Sequence, residues 1–329
     1  MQAKPLFVYN ITVRNSLFMK SATIRNHLSM SVRCNNCCAF CMEADYHRTD
    51  DLYRQLDMSV PKVERLLADG MIDRNYPVLL TGGEPTLNEN LPAVAEFLKK
   101  NGIREISLQT NGRMLSYLDY CVRLARAGIT HFTLSIHGSS RTIHDAMTRS
   151  PGSFAQSVAG LENLLRLKRI MPNIRICTAC TLTRINIGGI RDYLHLMLKH
   201  YNGIETVILN PLTIRGNALR YARQLTVSYS EISETVGNAI VQIGIPRESY
   251  NRITITDMPR CIDNVLSGPF ENILLVDPAL KKSHLARKLG QKGIKNKECA
   301  GCVCNDSCPG ISQEYANIFG MDEFRPIKA

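Results

Sequence analysis

From Leu28 onward, short runs of apolar and β-branched residues alternate with longer amphipathic stretches. The short runs, residues 28–33, 78–81, 103–109, 130–136, 174–182 and 206–210, read as strands. The longer ones, residues 60–68, 91–100, 116–127, 154–169 and 190–200, read as helices. Several of these run into a glycine, at Gly70, Gly102, Gly128 and Gly203, the residue that best tolerates the left-handed backbone closing a helix. About six strand-helix units in succession predict an α/β fold built on a parallel sheet. A doubly wound open sheet and a curved, partly closed barrel both satisfy the pattern. In either case ligands gather at the carboxyl ends of the strands, so the residues just after each strand are the candidates for chemistry.

The alternation fades past Arg223, where a helix over 230–244 and a short strand over 252–256 precede a cysteine-rich tail. A boundary near residue 225 then separates a main domain, 28–225, from a smaller one, 226–329. Residues 1–27 contain a strand-like run, Leu6 to Val13, with no assignable docking partner.

A chain of 329 residues with 44% hydrophobic content can bury a full core, which excludes wholesale disorder. Its twelve cysteines bunch at 34–41 and 299–308, a distribution that suits metal binding better than a disulfide framework. Nothing near Met1 resembles a secretion signal, and no run approaches the roughly 20 apolar residues of a membrane span. A cytoplasmic location with reduced thiols and no membrane contact is expected. The formal charge of +11 admits an anionic partner, nucleic acid included. Much of that excess lies in Lys281, Lys282, Arg287, Lys288, Lys292, Lys295 and Lys297, which a solvated surface helix explains equally.

Directly after the first strand, Cys34, Cys38 and Cys41 stand at i, i+4 and i+7, a spacing for one compact loop. Soft thiolates select zinc, copper or iron-sulfur clusters, and three ligands on a four-iron cube leave one iron open. A structural zinc would recruit Cys37 as a fourth ligand. The spacing, with Phe40 just before the last cysteine, resembles the signature of the radical S-adenosylmethionine (SAM) superfamily. That resemblance implies a partial (β/α)6 TIM-like barrel. It also implies a 4Fe-4S cluster on Cys34, Cys38 and Cys41 whose fourth iron is chelated by SAM, with Cys37 outside the ligand set.

Later strand ends extend the likeness. Gly82, Gly83, Glu84 and Pro85 are similar to the family's Gly-Gly-Glu-Pro motif, which implies contact with the SAM amino group. Glycines let backbone approach a ligand closely, and a carboxylate can accept from an ammonium. Asn111 after the third strand and Ser135 at the end of the fourth resemble residues lining the SAM pocket, Ser135 at the ribose, although turn chemistry alone also explains such polar residues. Arg184 and Asn186 after the fifth strand are further candidates for SAM, with helix capping the competing account of Asn186. His144 is structural or functional on equal grounds. Cys177 and Cys180 share CxxC spacing, but on a strand they face opposite sides and read as core cysteines.

The tail holds Cys299, Cys302, Cys304 and Cys308, with Cys261 upstream. Cys299, Cys302 and Cys308 resemble the Cys-x2-Cys-x5-Cys run of SPASM and twitch extensions. This implies one auxiliary 4Fe-4S cluster, with Cys261 favoured over Cys304 as the fourth ligand and a structural zinc as the alternative.

The resemblance implies an enzyme in which a reductant such as flavodoxin or ferredoxin supplies an electron, SAM is split, and a 5'-deoxyadenosyl radical takes a hydrogen atom from the substrate. A peptide or protein side chain is the leading expectation for that substrate. A small molecule or cofactor precursor follows, then a nucleic acid. The catalytic residues beyond the cofactor ligands are not identified by the sequence.

Overall fold

The computed structural model describes residues 25–42, 56–263, 266, 273–275 and 293–328. The run Leu6 to Val13 and the basic residues Lys281, Lys282, Arg287, Lys288 and Lys292 lie outside the described residues.

Eight parallel strands form one sheet in the order β7-β6-β5-β4-β3-β2-β1-β8. The first six are β1 (Arg25–Ser31), β2 (Val78–Gly82), β3 (Ile106–Thr110), β4 (His131–Ser135), β5 (Arg175–Leu182) and β6 (Thr206–Pro211). They neighbour one another in chain order, with no reversal at the first strand. That decides between the two architectures, because a doubly wound sheet turns back on itself whereas a barrel winds in one direction. The sheet does not end at residue 225: β7 (Ile253–Ile255) pairs with β6 and β8 (Ile273–Leu275) pairs with β1. Among the described residues β7 and β8 do not pair with each other, so the barrel is open.

Helices α1 (Val60–Ala68), α2 (Leu91–Lys100), α3 (Leu118–Arg126), α4 (Arg141–Thr148), α5 (Ser153–Ile170) and α6 (Ile190–His195) connect the strands. Two short helices, α7 (Asn217–Arg220) and α8 (Ala222–Leu225), and a longer one, α9 (Tyr229–Gln242), follow β6, and α9 packs on α6. Gly70, Gly102, Gly128 and Gly203 all adopt positive φ, as their positions after helices predict. Three local differences from the sequence pattern have physical causes. The first strand begins earlier, at Arg25, because Asn26 is buried with its amide on the carbonyls of Asp73 and Tyr76 at 2.9 and 3.2 Å, a polar start that apolar patterning hides. The stretch expected as one helix over 190–200 turns into a π-helix at Leu196–His200. The helix α4, unanticipated, is too short and polar to show a long apolar period.

The two faces of the sheet differ. Leu28, Leu80, Leu108, Phe132 and Ile176 form one registered row across β1 to β5, buried under the helices. Burying an aliphatic or aromatic side chain in this way contributes on the order of 2 kcal/mol each. The next residues, Thr81, Gln109, Thr133, Cys177 and Thr206, point the other way, into the barrel, and stay half-buried. The barrel thus has an apolar outer wall and a largely polar, open inner one. Among the described residues no helix is long and apolar enough to cross a membrane.

Candidate functional site

The first cysteine loop leaves β1 and is fastened to its surroundings from several strand ends. The N–H groups of Cys37 and Ala39 donate to the carbonyls of Thr148 and Met147 at 3.0 and 2.9 Å, satisfying acceptors at the end of α4. From the end of β3, Asn111 Nδ2 donates to Asn35 Oδ1 at 2.6 Å. Arg113 donates to Asn35 O and, at 2.9 Å, to Asn36 Oδ1. From the end of β6, Asn217 reaches the carbonyls of Cys38 and Cys41. Arg113 and the loop asparagines escaped the sequence reading, since a lone arginine after a turn carries no local signature.

Cys34, Cys38 and Cys41 are half-buried and Cys37 is exposed. Burial pushes the Cys34 thiol up to about 12, with the Glu84 carboxylate and then Cys41 and Cys37 adding to it. Cys38 is raised well above the ordinary thiol range by burial and by Cys34 and Cys41. The thiols therefore lie within electrostatic reach of one another. Among the described residues no three His, Cys, Asp or Glu side chains form a closed metal-ligand sphere, so these thiols are neighbours rather than a finished cage. Three soft donors on one loop, shielded from water, fit an iron-sulfur cluster by their chemistry. Phe40 packs with Ala39, Leu212, Ala218 and Leu225 and meets His137 edge-on, ring centres 4.6 Å apart.

The Gly82-Gly83-Glu84-Pro85 segment runs directly beside this loop. Gly83 N donates to Ser31 O at 2.6 Å and Glu84 N to Arg33 O at 2.7 Å. A Cβ at Gly83 would lie 2.4 Å from Arg33 O, so only glycine permits this contact. Pro85 is buried and opens a short turn, Pro85–Leu87.

Glu84 departs from the expectation of an ammonium acceptor open to a ligand. Its side chain is buried, with Oε1 accepting from Thr86 N at 3.1 Å and from the hydroxyls of Thr86 and Thr110 at 2.5 Å each, and Oε2 accepting from Asn111 N at 2.7 Å. Burial raises its pKa against those donors. The inward turn of the side chain makes it a tie between β2 and β3. Asn111 is likewise fully engaged, because its carbonyl accepts from Ser157 Oγ at 2.7 Å and its Oδ1 from Arg113 N at 3.0 Å.

Two more expected SAM contacts are spoken for elsewhere. Arg184 faces outward and pairs with Glu231 of α9 at 2.5 Å, with the guanidinium side chain 46% exposed. Asn186 is buried and donates to His137 O at 3.0 Å and Thr181 O at 2.8 Å, while its Oδ1 accepts from Thr183 N at 2.8 Å. It makes no side-chain cap, and instead laces the ends of β4 and β5 together. Ser135 behaves differently. It ends β4 on the inner face, half-buried.

His144 is buried, and its Nδ1 accepts from His137 N at 3.1 Å. Burial holds its pKa down at about 4. His137 Nδ1 accepts from Thr181 N at 3.2 Å, and burial lowers its pKa as well. Cys180 is buried against the helices and Cys177 is half-buried on the inner wall, in keeping with two separate sites on β5.

The second cysteine group is organised by turns. Asn296 Oδ1 accepts from Cys299 N at 3.0 Å, capping the turn Lys297–Gly301, and an antiparallel bridge joins Ile294 to Ile311. Cys261 packs beside the small core of Ile214, Ile311, Tyr315 and Phe324. Its thiol is pushed up to about 11 by burial and then by Cys308, Cys302 and Cys299, which lie within electrostatic reach of it. Cys304 is raised by burial and by Cys302 and Cys308, with Arg260 opposing.

The sequence profile of the Radical SAM superfamily matches residues 28–202. A relative in Sulfolobus acidocaldarius named Probable GTP 3',8-cyclase is 29% identical over 194 residues, 58% of this chain and 58% of its own. The GTP 3',8-cyclase of Xanthomonas axonopodis pv. citri is 33% identical over 138 residues, 41% of this chain and 40% of its own. The chain thus spans only about half the length of these curated relatives. Among solved structures, native anSMEcpe with bound AdoMet is alike in fold, with a TM-score of 0.58 at 15% identity over 92% of this chain and 95% of that one.

Proposed function

Because the chain belongs to the radical SAM superfamily and is an enzyme of that kind, we propose that it acts on a small polar molecule of the cofactor-precursor class. The observation that carries this is the inner wall of the barrel. Gln109 and Thr133 present hydrogen-bonding groups there and keep part of their surface open, the kind of few polar groups that orient a compact polar substrate. The relatives that match this part of the chain, named for a reaction of GTP, support the same reading. The peptide substrate expected from the cysteine-rich tail gains no such support, and the small-molecule alternative replaces it. A nucleic-acid substrate rested on the basic stretch, most of which lies outside the described residues.

In this reading Cys34, Cys38 and Cys41 would hold a 4Fe-4S cluster, and Gly82, Gly83 and Ser135 would contact SAM. A cluster held there would supply one electron for the reductive cleavage of SAM. The chain contributes placement. Asn111, Arg113 and Asn217 hold the loop, Glu84 locks the neighbouring strand ends, and Phe40 packs the loop against His137. Cys261, Cys299, Cys302 and Cys308 take an auxiliary 4Fe-4S cluster, and Cys304 stands outside it. Residues 226–329 carry that second site while returning β7 and β8 to the barrel. A one-electron donor such as flavodoxin or ferredoxin is required.

The test is substrate-dependent release of 5'-deoxyadenosine by the anaerobically reconstituted chain with SAM and dithionite. Nucleoside triphosphates, GTP among them, and small polar metabolites are compared with a pool of peptides. Stimulation by the small molecules is expected, and stimulation by peptides alone would overturn the proposal.

A further inference from the structure

The turn leaving β6 grips the first cysteine loop more tightly than any motif suggests. Gly216 has a φ of 55°, and a Cβ there would lie 2.5 Å from Cys41 O and 2.6 Å from Met42 O. This close approach brings Asn217 onto the loop with two separate donors. Its backbone N donates to Cys41 O at 2.9 Å, and its side-chain Nδ2 donates to Cys38 O at 3.1 Å.

The side chain is not occupied with starting its own helix. Gly216 stands at the N-cap of α7, and no side-chain cap bond is made there. The Nδ2 bond spans 179 positions in sequence and ends on the carbonyl of a cysteine. That carbonyl also accepts from Cys41 N at 3.3 Å, while the N–H of the same peptide unit, Ala39 N, donates to Met147 O at 2.9 Å. A hydrogen-bonded run thus crosses the loop, from Asn217 through the Cys38–Ala39 peptide to the end of α4. Bonds in series polarise and stiffen one another.

We propose that Asn217 is a positioning residue for the first cysteine loop. Its two donors fix the carbonyls of Cys38 and Cys41, and so set both the spacing of those thiols and the polarity of the peptides around a cluster they hold. The proposal rests on the reading of Cys34, Cys38 and Cys41 as cluster ligands. It assigns Asn217 no contact with SAM or substrate.

The experiment compares parent, Asn217→Asp and Asn217→Ser. Asn217→Asp keeps the shape and the backbone N–H but turns the Nδ2 donor into an acceptor facing Cys38 O, whereas Asn217→Ser keeps a short donor. Amide hydrogen exchange is read over residues 37–42 in the metal-free chain. Iron content, the electron paramagnetic resonance of the reduced cluster and its reduction potential are read after reconstitution. In Asn217→Asp, exchange at Ala39 and Cys41 should quicken about tenfold, the equivalent of one hydrogen bond. Its reduction potential should move to more negative values as a donor is lost. Asn217→Ser should recover part of both shifts.

Parent-like exchange, spectrum and potential in Asn217→Asp would overturn the proposal. So would a uniform loss of protection across the whole chain in both variants, which marks a general folding role. A third variant with Cys34, Cys38 and Cys41 all changed to Ala separates the two layers: SAM cleavage surviving there sinks the ligand reading itself, whereas its loss alongside a parent-like Asn217→Asp sinks only the role of Asn217.

Discussion

Glu84 Oε2 accepts the backbone N–H of Asn111 at 2.7 Å, a bond that joins the turn after β2 to the turn after β3. Because Glu84 Oε1 is filled by Thr86 and Thr110, the whole carboxylate works as an internal brace. Changing Glu84→Gln leaves an oxygen for the threonines but turns an amide N–H toward the N–H of Asn111. Two buried donors facing each other cost about 1–3 kcal/mol. A urea midpoint lowered by that amount is expected, and an unchanged midpoint would show that the brace is not made.

Arg184→Ala should barely matter. The Arg184–Glu231 pair is 46% and 38% exposed, so its loss costs below about 1 kcal/mol. The KM for SAM should stay within about twofold of parent. A large rise in that KM would return Arg184 to the SAM pocket.

Asn186→Ala should behave in the opposite way. Removing the amide takes a donor from His137 O and from Thr181 O and the acceptor from Thr183 N, at a cost of about 1–3 kcal/mol, and loosens the joined ends of β4 and β5. Thermal unfolding tests this directly, and a parent-like midpoint would refute it.

Acid should weaken the fold through His144. Burial holds its folded pKa at about 4, below the ordinary histidine value of 6.5, so the neutral ring is favoured in the fold. The stabilisation is present above pH 6.5 and is lost as pH falls from there to about 4, roughly 3 kcal/mol in all. His137, lowered for the same reason, adds in the same direction. His144→Asn keeps an acceptor for His137 N without a titrating ring. Urea midpoints of the metal-free chain from about pH 4 to 7 should therefore fall less steeply in the variant than in the parent.

Cys261→Ala and Cys304→Ala should separate in iron content. Cys261 lies within electrostatic reach of Cys308, Cys302 and Cys299, and its loss should remove about four irons per reconstituted chain, whereas Cys304→Ala should keep them. The reverse outcome would make Cys304 the fourth ligand.

The succession of strands and helices was legible because Leu28, Leu80, Leu108, Phe132 and Ile176 each sit in a short apolar run, whereas periodicity could not choose between a doubly wound sheet and a barrel, since both give the same alternation. The cysteine triad and the glycine pair were legible for another reason: their chemistry and spacing are local. Arg184, Asn186 and Glu84 were read by position after a strand, which says where a backbone ends but not which way a side chain turns. Asn186 turns inward because three backbone groups await it there, and Arg184 outward because Glu231 does. Those partners lie up to 49 positions away and leave no trace in the nearby sequence. The short strand expected over 252–256 is β7, whereas β8, only three residues long, is too brief for alternation to show.

Gly83 and Gly216 press on the cysteine loop at its two ends, one against Arg33 O at its entry and the other against Cys41 O at its exit. Each leaves no room for a Cβ, so the loop is moulded by turns that are remote from it in sequence. It is therefore not a portable cassette. A graft of residues 34–41 into another parallel barrel would carry the thiols without their mould, and would succeed only if the glycine-bearing turns after the second and sixth strands were transplanted with it.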